Sequence, residues 1–354
     1  MFQFKRKHRP LLGLDITTSS IKLLELSKSG GQYRVESYAA EPTPPNSITE
    51  KSVVDPALVG EAIRRAVKRS GAATRDVAIA ISGDATITKV IQLPRSLKSG
   101  DIEGQVELQA DQYISHPMDE VAYDFEVIGP SERDPDALDV LLVATRSENV
   151  EQRRAAVTAA GLTTCLVDVE PFALENACRL LTHQMPDGGE GRSIAVVDFG
   201  ASSTTFSILR NLKLIYTRDF AFGGQQLTEE IMLTYGLSIE EAGRAKKEGG
   251  LPAGYQADVL DPFIDDMTQQ VSRSLQFYMA SGSSREQPEK MIICGGCANI
   301  PGVAEVIGSR VGIPAEKGDP FGQMKLSPRA RASGVMRDAT ALLTACGLAL
   351  RSFD

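Results

Sequence analysis

Leu11-Leu12-Gly13-Leu14-Asp15-Ile16-Thr17-Thr18-Ser19-Ser20-Ile21-Lys22 decides the reading of this chain, because its plan returns at Ile194-Ala195-Val196-Val197-Asp198-Phe199-Gly200-Ala201-Ser202-Ser203-Thr204-Thr205-Phe206. Each stretch reads as an apolar strand, an Asp, a turn of small hydroxyl residues and a second strand. Such a turn aims backbone N–H and hydroxyl groups at phosphate oxygens. An Asp at the end of the first strand can hold Mg²⁺, usually through water. One such hairpin is an ordinary turn; two, from two halves of one chain, point to a nucleotide clamped between related domains.

The rest of the chain fits an α/β protein of more than one domain. It has 354 residues, 42% hydrophobic and 24% charged, a balance typical of globular proteins with real cores. A net charge of −8 and the lack of Trp argue against general nucleic-acid binding. No run approaches the ~18 apolar residues of a membrane-spanning helix. The basic start, Lys5-Arg6-Lys7-His8-Arg9, has no long apolar core behind it and so is no signal peptide. It reads either as a solvated tail or as a segment that touches anionic lipid. Cys294-Gly295-Gly296-Cys297 has metal-ligand spacing but no second pair or neighbouring His, so packed, reduced thiols are the simpler reading.

Asp55-Pro56 opens a helix with Leu58, Val59, Ala62, Ile63, Ala66 and Val67 at helical spacing, and Gly71 closes it. Residues 85–160 read as an inserted α+β unit between two parts of a first domain, 10–84 and 161–186. Asp187-Gly188-Gly189-Glu190-Gly191 is the expected hinge. A second domain follows over 187–337, then a helix, 338–354, that returns to the first. Gly223-Gly224-Gln225 opens a helix whose N-terminus favours anions. Gly295-Gly296 follows an apolar strand, where the lack of a Cβ lets backbone pass against a flat ring or ribose.

This order of motifs resembles the actin-like ATPase superfamily over nearly the whole chain. Leu11 to Lys22 is similar to its first phosphate motif, Val196 to Thr204 to its second, and Ile292 to Gly302 to its adenosine motif. Asp168-Val169-Glu170-Pro171 and Ala345-Cys346-Gly347-Leu348-Ala349 resemble its two connecting helices. The inserted unit resembles that of the FtsA-like branch, and Leu12-Gly13-Leu14-Asp15-Ile16, Phe222-Gly223-Gly224 and Ile293-Cys294-Gly295-Gly296 resemble its PilM family, of type IV pilus assembly.

The resemblance implies a duplicated, ribonuclease H-like two-domain fold and an ATP- or ADP-binding scaffold with weak or no hydrolysis. It implies a cytoplasmic protein at the inner face of the inner membrane, serving twitching motility, competence or adhesion. The implied partner is the N-terminal cytoplasmic tail of PilN, held between the first subdomain and the inserted one; the pilus inner-membrane complex, its motor ATPases and self-association are further expectations. Residue by residue, Asp15 and Asp198 organise Mg²⁺ through water. Thr17, Thr18, Ser19 and Lys22 contact phosphates from one side, and Gly200, Ala201, Ser202 and Ser203 from the other. Gly223, Gly224 and Gln225 add anion-binding backbone, Gly295, Gly296 and Asn299 border adenosine, and Glu170 positions the attacking water. Lys246 matches the family's ribose-side Lys, but Gly243 stands where the family has Glu, so that the ribose contact is either weaker or supplied by Glu240 or Glu241.

Two other functions share the fold. An FtsA-like division filament protein is expected to end in a basic, aromatic amphipathic helix, and Leu350-Arg351-Ser352-Phe353-Asp354 does not read as one. A sugar or metabolite kinase needs a further carboxylate base in a sugar-lined cleft, for which no additional motif stands out.

Overall fold

A computed structural model describes residues 10–49, 51–98, 100–131, 134–282 and 286–354; the basic stretch at residues 5–9 lies outside them. Strands β1 (Leu12–Ile16), β2 (Ser20–Ser29) and β3 (Gln32–Pro42) form an antiparallel meander. A small ladder, β4 (Ile48–Thr49) with β5 (Ser52–Val53), leads into helix α1 (Pro56–Ser70). Asp55 accepts the Leu58 N–H at the helix start, and Gly71, in the left-handed region at φ 64°, ends it. Strand β6 (Asp76–Ile81) then pairs parallel to β1.

The inserted unit comprises β7 (Thr86–Pro94), α2 (Ile102–Ala110), β8 (Val121–Pro130) and β9 (Ala137–Arg146). Its three-stranded sheet runs β7-β9-β8, with Ile91, Leu93, Val140 and Leu142 buried against Ile102 and Val106 of α2. Helix α3 (Ser147–Ala159) follows, then β10 (Thr163–Val169), which pairs parallel to β6, and α4 (Glu170–Cys178). The sequence reading carries the inserted unit to residue 160. The structure instead packs α3 on the first sheet, its Ala156 and Val157 buried with Val59 and Ile63 of α1.

The second half repeats the plan with β11 (Ser193–Phe199), β12 (Thr204–Arg210), β13 (Lys213–Phe220), α5 (Gly224–Tyr235), α6 (Ile239–Glu248), α7 (Asp261–Ala280), β14 (Lys290–Gly295), α8 (Val303–Val311) and β15 (Ala315–Lys317). The chain then returns through β16 (Lys325–Leu326), α9 (Pro328–Ala332) and α10 (Leu343–Leu350). The expected final helix is shorter than 338–354; short 3₁₀ turns flank it on both sides.

The duplication is plain in the sheets. The first runs β3-β2-β1-β6-β10 with β16 added outside β3, and the second runs β13-β12-β11-β14-β15. In each, an antiparallel meander continues into two parallel strands. Leu12, Leu14 and Ile16 face α1 and α3, while Gly13 on the opposite face lies against α10. Helices α4 and α10 lie between the halves. One core runs from Leu24 through Leu174, Cys346 and Leu343 to Val196 and Ile292. The helices touch backbone to backbone: a Cβ on Gly347 would fall inside the Ala173 carbonyl, and Asn176 donates to the Gly347 carbonyl at 3.0 Å.

Candidate functional site

Asp15 and Asp198 occupy the same place in the two hairpins, next to last in β1 and in β11. Asp15 is cross-strand partner to Lys22, and its Oδ2 accepts from the Lys22 ammonium at 2.9 Å. Burial alone lowers the pKa of Lys22, but the charge and hydrogen bond of Asp15, with Asp198 and Glu170 beyond it, raise it. Lys22 therefore stays charged and is committed to Asp15. Asp198 has no hydrogen bond or ion pair among the described residues. Burial, opposed by Lys22 and reinforced by Asp15, Glu170 and Asp219, pushes its carboxyl up to about 6.

The two small-residue turns meet. The hydroxyls of Thr18 and Ser202 lie 3.1 Å apart across the cleft. Thr17 closes its own turn, exchanging bonds with Ser20, and its carbonyl accepts from Thr43. In the second turn Gly200 N–H donates to the Ser203 carbonyl. Gly200 and Ala201 carbonyls accept from the N–H groups of Gly224 and Gln225. These two amides, expected to face an anion, instead brace the second turn.

Glu170, the first residue of α4, lies close enough to Lys22 and Lys51 for its charge to act on both. Burial pushes its carboxyl up, Arg153 and Lys51 pull it down, and Asp15 adds to the rise; the net shift is upward. Three residues without any local motif complete this cluster. Arg153, buried in α3, donates to the Ile16 carbonyl at 3.1 Å and the Lys51 carbonyl at 2.8 Å. Lys51, in the β4–β5 turn, pairs with Asp84 at 3.2 Å and with Asp219 at 3.3 Å. Asp219 belongs to β13, so this ion pair crosses from one half to the other. No spacing or composition signal marked Lys51, Arg153 or Asp219, because the fold brings them from a turn, a helix and a far strand.

The residues expected to border adenosine have equally defined surroundings. Gly295, at φ +85°, leaves no room for a Cβ beside the Phe199 carbonyl and Asp198 Oδ1, whereas Gly296 and Gly243 face open space. The Lys246 ammonium donates to the Gly224 carbonyl at 2.6 Å and to Thr228 Oγ1 at 2.7 Å. Burial lowers its pKa. Glu241 forms the capping box of α6 with Ser238 and is thereby taken from any ribose contact; Glu240 is exposed. Asn299 donates to the Arg337 carbonyl and accepts from Lys317. Cys294 and Cys297 are buried free thiols, and burial pushes Cys297 up to about 11.

The site's chemistry can be tested against a nucleotide and a divalent ion. Five carboxylates (Asp15, Asp84, Glu170, Asp198 and Asp219) interact with three cations (Lys22, Lys51 and Arg153). The excess of two negative charges and the unpartnered Asp198 carboxylate attract a divalent cation, although no three of the carboxylates converge as direct ligands among the described residues, which suits an ion held through water.

A family model described as type IV pilus assembly protein PilM matches residues 13–353. The chain belongs to the PilM family. A solved PilM–PilN type IV pilus biogenesis complex has a chain that is 28% identical, with a TM-score of 0.82 over 98% of this chain and 99% of that one. The cell division protein FtsA of Bacillus subtilis (strain 168) is 22% identical over 340 residues, 82% of this chain and 74% of FtsA. The ethanolamine utilization protein EutJ from Carboxydothermus hydrogenoformans is 18% identical, with a TM-score of 0.57 over 96% and 89% of the two chains, and shares the fold. The actin-like fold and the FtsA-like branch of this PilM-family chain are thus established. No helix among the described residues is long and apolar enough to cross a membrane.

Proposed function

We propose that this PilM-family chain is a nucleotide-binding scaffold of the type IV pilus inner-membrane assembly complex. It holds the cytoplasmic N-terminal tail of PilN between its first sheet and the inserted sheet, supporting pilus biogenesis and twitching motility. The likeness to the PilM–PilN complex over nearly the full length of both chains carries the partner half of this reading. The nucleotide half rests on the paired hairpins and the charge surplus at Asp15 and Asp198.

In this reading Mg²⁺ bound through water to Asp15 and Asp198 neutralises the phosphates of ATP or ADP. Asp15 keeps Lys22 oriented, the Thr17–Ser19 and Gly200–Ser203 turns offer N–H and hydroxyl donors, and Glu170 stands ready to orient a water. Lys246 holds the Gly224 turn in shape through its two hydrogen bonds. Nucleotide bridging the two turns fixes the angle between the halves, a hinge closure that presents the PilN groove.

Calorimetric titration with a synthetic PilN N-terminal tail, with and without Mg-ATP, tests both halves. Micromolar binding is expected, altered by nucleotide; no binding in either condition would sink the scaffold reading. Asp15→Ala and Asp198→Ala are each expected to weaken Mg-ATP binding at least about tenfold, or 1.4 kcal/mol, with the circular dichroism spectrum intact. Unchanged ATP affinity in both variants would count against the nucleotide site.

A further inference from the structure

The first half carries a basic face that the nucleotide cleft does not use. Residues 64–75 hold Arg64, Arg65, Lys68, Arg69 and Arg75 and no carboxylate, in a chain of net charge −8. Arg65 and Arg69 turn toward Glu41. Arg64, Lys68 and Arg75 instead line an open depression between the end of α1 and the Ala160–Gly161 turn, and no acidic side chain lines it. Arg329 reaches over from α9 to the Gly71 carbonyl, and Arg64 to the Ala159 carbonyl.

The carbonyl ends of α1 and α3 account for those last two guanidiniums. They do not account for the others. Lys68 has no hydrogen bond or ion pair among the described residues, and the Arg75 side chain makes a single 3.5 Å bond, to the Ala72 carbonyl. Arg64 and Lys68 stand one turn apart on α1, a like-charge pair that weakens a helix. An arrangement that costs the free protein and lacks internal partners points outward.

Strand register adds a second observation. Leu12 pairs with Val77, two residues past Arg75, so the chain enters the fold at this same end of the sheet. In the sequence, Lys5-Arg6-Lys7-His8-Arg9 immediately precede Pro10. Asp15 lies at the opposite end of β1, so a partner here leaves the cleft open.

We propose that Lys68 and Arg75, with the exposed guanidiniums of Arg64 and Arg329 beside them, dock this end of the first half on an anionic bilayer surface. These cations are exposed and spread side by side over two helix ends and a sheet end, rather than converging in a closed pocket. That geometry matches a plane of headgroups better than one small anion, and each cation near such a surface strengthens binding about fivefold.

Co-sedimentation of the full chain with phosphatidylcholine vesicles, with and without phosphatidylglycerol, tests this. Binding is expected only to the anionic vesicles, and it weakens as salt rises. Lys68→Ser with Arg75→Ser is expected to weaken it about twentyfold. The charge-matched control Arg244→Ser with Lys247→Ser, on α6, is expected to bind like the parent. The proposal is overturned by equal binding to neutral vesicles, or by equal losses in the two double variants. Replacing Lys5, Arg6, Lys7 and Arg9 by Ser separates the tail: loss of all binding there, with none lost in the Lys68/Arg75 variant, also overturns it. So does capture of soluble polyglutamate without capture of vesicles.

Discussion

Asp198 keeps its proton in the folded protein to a higher pH than it would in water. Its carboxyl titrates at about 6, above the ~3.9 of an unfolded chain. Between those values the folded state holds the extra proton, so stability falls as pH rises through the window, and the loss is complete above it. Asp198→Asn should therefore be the more stable protein at pH 7.5, by about 1 kcal/mol after allowing for partial exposure, and lose the advantage at pH 4. Paired thermal melts at the two pH values check this; a variant advantage that does not shrink on acidification would refute it. The same residue was legible in the sequence, since an Asp ending an apolar strand before a small-residue turn announces itself. Lys51 and Arg153 were not, since each acts through a backbone or a carboxylate brought in from elsewhere in the chain. Local pattern also says nothing about competition: Glu241 and Asn299 have the right chemistry for a ligand, but nearer partners hold them.

At the scale of elements, the paired hairpins and Gly295 at the end of β14 were readable because each has a local signature. The packing of helix α3 was not readable, for a physical reason. Its buried residues, Arg153, Ala156 and Val157, are small or polar apart from one Val, so its sequence does not tell which sheet it covers. The crossing of α4 and α10 is the most demanding contact between elements. Gly347→Ala should cost about 3 kcal/mol, because the added methyl meets the rigid Ala173 backbone and not a movable side chain. Denaturant unfolding checks it, and a midpoint within error of the parent would show that the two helices can separate freely.

For the whole molecule, the halves share one core under α4 and α10 and touch across the cleft through polar groups, among them Lys51–Asp219 and Thr18–Ser202. Burial would lower the Lys51 pKa, yet Asp219, Glu170 and Asp84 raise it. Its pairing is thus fully present below the ~10.5 of an unfolded Lys and does not change between pH 6 and 9 on its account. Salt, not pH, is the lever. Lys51→Met should shift the balance toward an open cleft about fivefold, the effect of roughly 1 kcal/mol. Small-angle scattering should then show a larger radius of gyration in the variant at low salt, and convergence with the parent at high salt. Identical radii at low salt would mean that the ion pair does not hold the cleft.

The order in which the chain is made sets a constraint of its own. Residues 193–317 contain every strand of the second sheet, whereas the first sheet waits for β16 at its edge and α10 on its face, from the last thirty residues or so of the chain. During synthesis the half made first is therefore the half finished last. Until residues 325–350 have been made and have folded back, its β3 edge and the apolar surface around Leu24 and Val35 stay uncovered, which makes the nascent first half, rather than the folded protein, the form most in need of a chaperone.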